Sequence, residues 1–126
     1  MKLRIKGASM RLRVSPSEME RLLRAGRIEE TIQFAPDPDA KLTYALEQTP
    51  SSQEITVRYR PQEVTVLLPA ESARAWAEGE QVGIYGSVDT GSAQLTLVVE
   101  KDFACLDRND EDNADTFANP KSVGAC

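Results

Sequence analysis

Ser15-Pro16-Ser17-Glu18-Met19-Glu20-Arg21-Leu22-Leu23-Arg24-Ala25-Gly26 reads as a short helix with both ends marked. Ser15 suits the N-cap, Pro16 the first helical position, and Glu18 completes a capping box. Met19, Leu22 and Leu23 form an apolar stripe at i, i+3, i+4. Gly26 is the stop, because glycine can take the left-handed conformation that a helix end favours. Upstream, Leu3 and Ile5 alternate with Lys2, Arg4 and Lys6, and Met10, Leu12 and Val14 alternate with Arg11 and Arg13. This period of two predicts two half-buried strands, joined at Gly7-Ala8-Ser9 into a hairpin. Downstream, Ile28–Phe34 and Lys41–Glu47 read as strands separated by the turn Pro36-Asp37-Pro38-Asp39.

The rest of the chain repeats this order. Glu54–Tyr59 and Val64–Leu68 read as strands around Arg60-Pro61-Gln62. Pro69 starts a helix and Gly79 ends it. Val82–Ser87 and Gln94–Glu100 flank the turn Asp89-Thr90-Gly91-Ser92. At an offset of 53 residues Pro16 meets Pro69, Glu18 meets Glu71, Arg21 meets Arg74 and Gly26 meets Gly79. Leu42-Thr43 likewise meets Leu95-Thr96. The opening hairpins align one residue out of step, and Leu68 stands where Ser15 caps the first helix. The expected fold is α+β, with mainly antiparallel strands and two short helices. Two pseudo-symmetric ββαββ halves form one barrel-like core, closed by Leu22, Leu23 and Trp76. Residues 1–102 are expected to be one domain, with halves at 1–48 and 54–101, followed by an acidic tail at 103–126.

Composition bounds the rest. Of 126 residues, 40% are apolar and 28% charged, which suits a globular chain with a core of its own. No apolar run approaches a membrane span, and MKLRIKG lacks the apolar stretch of a signal peptide, so a cytoplasmic protein without a membrane partner is expected. Two cysteines, Cys105 and Cys126, make no disulfide framework. The net charge of -5 hides an asymmetry. Residues 1–27 carry eight Lys/Arg against Glu18 and Glu20, whereas residues 100–126 carry seven acids against Lys101, Arg108 and Lys121.

Three candidate chemistries follow. Arg4, Lys6, Arg11 and Arg13, with Lys2, share one face of the first hairpin and could bind phosphates or DNA; the alternatives are a solvated face or a face covered by the acidic tail, and the acidic balance of the chain counts against nucleic acid. The acidic run from Asp107 to Asp115 fails the EF-hand template: starting at Asp110, Ala114 falls at the fifth position and Asp115 at the sixth. Lys101, Asp102, Cys105 and Cys126 are the thiol and tail candidates. With no histidine, Ser–His and Cys–His pairs and a self-contained Cys/His zinc site are excluded. No glycine-rich phosphate loop is present, so neither a cofactor nor a metal is expected.

Two resemblances add to this reading. Val64-Thr65-Val66-Leu67-Leu68-Pro69-Ala70-Glu71, with Gly79-Glu80-Gln81-Val82-Gly83-Ile84-Tyr85, resembles the swapped-hairpin AbrB-type domain. That resemblance implies intertwined units and DNA binding. Glu100-Lys101-Asp102-Phe103-Ala104-Cys105-Leu106, Asn119-Pro120 and Cys126 are similar to the tail of a small family of bacterial proteins of unknown function, which implies no activity. The leading expectation is a non-enzymatic binding module for a protein partner or for a second copy of itself. The alternatives are a DNA-binding regulator, or a small enzyme or metal/thiol protein centred on Cys105.

Overall fold

A computed structural model describes residues 1–50, 54–104 and 115–118. The elements are β1 (Lys2–Ile5), β2 (Ser9–Val14), α1 (Pro16–Ala25), β3 (Arg27–Gln33) and β4 (Lys41–Thr49). They are followed by β5 (Thr56–Arg60), β6 (Glu63–Pro69), α2 (Ala70–Glu78), β7 (Gly83–Asp89) and β8 (Gln94–Lys101). The α+β class, the two helices and the mainly antiparallel strands are as expected.

The capping box of α1 forms as its residues require. The Ser15 hydroxyl accepts from the Glu18 N–H, and Glu18 accepts from the Ser15 N–H at 3.0 Å. Gly26 is left-handed, with φ 85°, and its N–H returns to the Leu22 carbonyl. The second helix ends differently. Gly79 is extended, and a Cβ there would crowd the Ala75 carbonyl, so glycine is needed for close approach. The Gly79 carbonyl accepts instead from Lys101 Nζ at 2.8 Å, which sets a cation at the negative end of α2.

The strands form two four-stranded sheets, β1-β2-β8-β7 and β3-β4-β6-β5. Each sheet takes one hairpin from the first ββαββ run and one from the second. The joining ladders, β2 with β8 and β4 with β6, are parallel, and the other four are antiparallel. Exchanging the two runs maps one sheet onto the other. The registers locate the slip. Ser9 pairs with Thr96 as Glu63 pairs with Thr43, so the opening hairpins correspond at an offset of 54 residues and the closing strands at 53. Gly79, Glu80, Gln81 and Val82 separate α2 from β7, whereas Gly26 alone separates α1 from β3, so β3 and β7 correspond at 56. A hairpin loop three residues shorter before β8 restores the step.

The core lies between the sheets. Met10, Leu12, Val14, Leu97 and Val99 come from the first, Ile28, Leu46, Val66 and Leu68 from the second, and Met19, Leu22, Ala73 and Trp76 from the helices. Trp76 is fully buried, and its Nε1 donates to the Val82 carbonyl. Leu23 packs against the same cluster. Among the described residues, hydrogen bonding does not close a barrel, because β1 and β7 are the edges of one sheet and β3 and β5 of the other. The edges meet by side-chain contact. Ile55 fits against Gly86, where a Cβ would strike its Cγ2. At the corresponding place the terminal ammonium of Met1 pairs with Glu18 and Glu30.

Part of the C-terminal segment returns to this body. Phe117 bridges Phe103, its N–H donates to the Asp102 carbonyl, and its ring lies edge-on to Phe103 with centroids 5.9 Å apart. Phe117 packs on the core beneath Lys101. Cys105, the acidic run from Asp107 to Ala114, Asn119-Pro120 and Cys126 lie outside the described residues.

Candidate anion-binding face

The pleat decides which side chains share the outer face of the β1-β2-β8-β7 sheet. Direct cross-strand partners fall into rows. Lys2, Arg13, Glu100 and Gly83 form one row, and Arg4, Arg11, Val98 and Tyr85 the next. Ser9, Thr96 and Ser87 form a third, with Lys6 just beyond the end of β1. The structure therefore brings Arg4, Lys6, Arg11 and Arg13 together as the alternation requires. Shallow hollows of about 190 and 230 Å³ lie among them, the first lined by Arg4, Lys6, Ser9 and Arg11, the second by Lys2, Leu3, Arg4, Arg11 and Arg13.

This face is electrostatically one-sided. Lys2 pairs with Asp102 at 2.8 Å and Arg11 with Glu100 at 3.3 Å. Among the described residues, Arg4, Lys6 and Arg13 have no carboxylate within 4.0 Å. Two directly opposed pairs, Lys2 with Arg13 and Arg4 with Arg11, are cation against cation. Like charges placed directly opposite on neighbouring strands destabilise a sheet.

The matching face of the other sheet is built the opposite way. In its hairpin Arg58 opposes Thr65, Thr56 opposes Leu67 and Arg60 opposes Glu63. Arg27 reaches Glu47 at 2.9 Å, Glu29 at 3.1 Å and Glu63 at 3.5 Å, and Arg58 reaches Glu47 at 3.4 Å. Burial alone would raise the Glu47 pKa, but hydrogen bonds and charge from Arg27 and Arg58 outweigh it and hold the carboxyl below its ordinary value. The lattice covers the strands beneath, so that Thr65 is fully buried and Ala45 nearly so. The positions matching Thr65 and Ala45 on the cationic face, Arg11 and Val98, are only half-buried.

Tyr85, Val98 and Glu100 join the cations through the parallel β2–β8 ladder, and sequence reasoning missed them. Their own alternation was visible, but nothing in the sequence said which hairpin would lie beside Arg11. Tyr85 is 57% exposed. Its hydroxyl donates diagonally to Glu100 at 3.2 Å, and Glu100 is also held by Arg11. Burial and then the Glu100 carboxylate push the Tyr85 pKa up, with Arg11 opposing.

The tail candidates part company. Lys101 faces the core and is engaged at Gly79 and over Phe117. Asp102 is buried against Lys2, and Cys105 and Cys126 are outside the described residues. Among the described residues no three Cys, Asp or Glu gather as metal ligands. Among the described residues no helix is long and apolar enough to cross a membrane.

A family model for a family of unknown function, DUF7009, matches residues 1–121, and the chain belongs to that family. No curated protein and no solved structure matches it.

Proposed function

We propose that this member of the family is a non-enzymatic binding module that holds a polyanion on the outer face of the β1-β2-β8-β7 sheet, through Arg4, Lys6, Arg11 and Arg13. The observation that carries this reading is the contrast between corresponding faces: one is neutralised by an ion-pair lattice, the other keeps cation opposite cation at Lys2–Arg13 and Arg4–Arg11. An unfavourable arrangement of that kind is relieved when phosphates or other anions are bound. The shallow hollows fit surface contact better than an enclosed reaction site. The matched element orders and registers favour duplication of one ββαββ unit, with residues 1–102 acting as one domain and the segment after it as an appendage.

Salt elution from immobilised heparin tests the reading. A protein of net charge -5 is expected to be retained at low salt only through a local patch. The combined Arg4→Ala, Lys6→Ala and Arg13→Ala variant should elute at clearly lower salt while melting no lower than the parent. Flow-through of the parent protein at low salt, or equal elution of the two proteins, would overturn the proposal.

A further inference from the structure

Resting on that reading, we infer that the polyanion is a single-stranded nucleic acid whose bases stack on Tyr85. The row Arg4, Arg11, Val98, Tyr85 crosses all four strands, with charge at one end and an aromatic ring at the other. Tyr85 lies two strand spacings, about 10 Å, from Arg11. Along β1 and β2, same-face cations repeat every second residue, about 6.7 Å apart, which gives a track for a sugar–phosphate backbone. The backbone can follow this track while the bases turn toward Val98 and Tyr85.

The Tyr85 hydroxyl is already donated to Glu100, so its exposed ring adds little to binding of phosphates alone. It contributes when a base presents its flat face, and unpaired bases do so whereas a duplex offers base edges in its grooves. Stacking of successive bases on aromatic rings beside a cationic track is the physical basis of single-strand binding. Tyr85 is also held ready. The chain Arg11 to Glu100 to the Tyr85 hydroxyl fixes the side chain and leaves more than half of its surface in solvent. The hydroxyls of Ser9, Thr96 and Ser87 form the neighbouring row, where they can meet base edges or phosphate oxygens. Among the described residues the face is a four-stranded sheet surface with no helix on it to enter a major groove. An acidic protein could use the same cations, but it gives the Tyr85 ring no comparable partner.

Fluorescence anisotropy of a short labelled oligo(dT), with the full chain as titrant, tests the inference beside a duplex of the same length. The parent protein is expected to bind oligo(dT) more tightly than the duplex. Tyr85→Ala should weaken oligo(dT) binding by about 5- to 150-fold, the range expected for one stacked base. The same variant should keep its heparin elution, and Tyr85→Phe should keep most of the oligo(dT) affinity because the ring remains. Thermal melts of both variants check folding. Unchanged oligo(dT) affinity in Tyr85→Ala, or tighter binding of the duplex, would overturn the single-strand inference and leave the polyanion reading standing if heparin retention persists. Loss of binding to every polyanion would remove both.

Discussion

Arg4→Glu is expected to stabilise the protein and to weaken its hold on a polyanion in the same step. Arg4 stands directly opposite Arg11, an exposed cation facing a half-buried one. Reversing the charge replaces repulsion by attraction across the same ladder. A favourable opposite-charge pair contributes about 0.2–1 kcal/mol relative to alanine, and a like pair costs a similar amount. The swap is therefore worth roughly 0.4–2 kcal/mol. For a chain of this length that raises the melting midpoint by about 1–8 °C. The gain should shrink as salt rises, since both side chains reach solvent. Scanning calorimetry at low and high salt reads the stability, and heparin elution reads the binding. A variant that melts lower than the parent would show that Arg4 serves the fold, and the case for a face kept open for a ligand would fail.

The opposite behaviour is expected across the molecule. Arg27→Met keeps an apolar stem but removes three partly exposed ion pairs, each worth about 0.2–1 kcal/mol, so it should cost roughly 1–3 kcal/mol in urea unfolding. A cost below about 0.5 kcal/mol would mean that the lattice does not hold that face together. Glu47 gives the pH dependence. Its folded pKa is depressed, so its contribution is present above about pH 4.3 and is lost as pH falls through the lower folded value. Melting midpoints between pH 6 and pH 3 should therefore fall more steeply for the parent than for Glu47→Gln, and parallel curves would contradict the assignment. At the seam between sheets, Gly86→Ala should cost about 1–3 kcal/mol by overpacking against Ile55. Paired with Ile55→Ala, its methyl enters the space vacated, so the double variant should be more stable than additivity allows, and additivity within about 0.5 kcal/mol would refute the contact.

Local chemistry made some of this legible in the sequence. The capping box at Ser15 and Glu18, the left-handed Gly26 and the two-residue alternation of the first hairpin involve neighbours in the chain, so their geometry follows from residue type. The alternation placed Arg4, Arg11 and Arg13 on one face before any tertiary contact was considered. Gly79 was read only as a stop, and its reason for being glycine, the approach of the Ala75 carbonyl, needs coordinates. Partner choice between distant hairpins is a long-range outcome. Apolar alternation in β2 is equally satisfied by β4 or β8 as a neighbour, since both bury the same kind of face. Tyr85 and Glu100 therefore could not be assigned to the cationic surface from sequence, and the seam between Ile55 and Gly86 was hidden for the same reason.

The registers allow the two faces to be compared position by position, and this locates the source of the charge difference. Arg27, the centre of the lattice, corresponds to Gly83. Its partners Glu29 and Glu63 correspond to Tyr85 and Ser9, while Glu47 corresponds to Glu100. In the opening hairpins Thr65 and Leu67 correspond to Arg11 and Arg13. One scaffold thus carries two surfaces whose difference rests on a few substitutions at matched sites. Two acids become a tyrosine and a serine, two neutral residues become arginines, and the arginine that would compete for the remaining glutamate becomes a glycine. Glu100 is left to Arg11 and Tyr85. Arg4, Lys6 and Arg13 lie outside that pairing, beside an exposed ring that the same glutamate holds in place. Folding alone is met by the Arg27 lattice, at equal strand count and with a matching core. The extra positive charge on the other sheet is therefore best explained by something that sheet contacts.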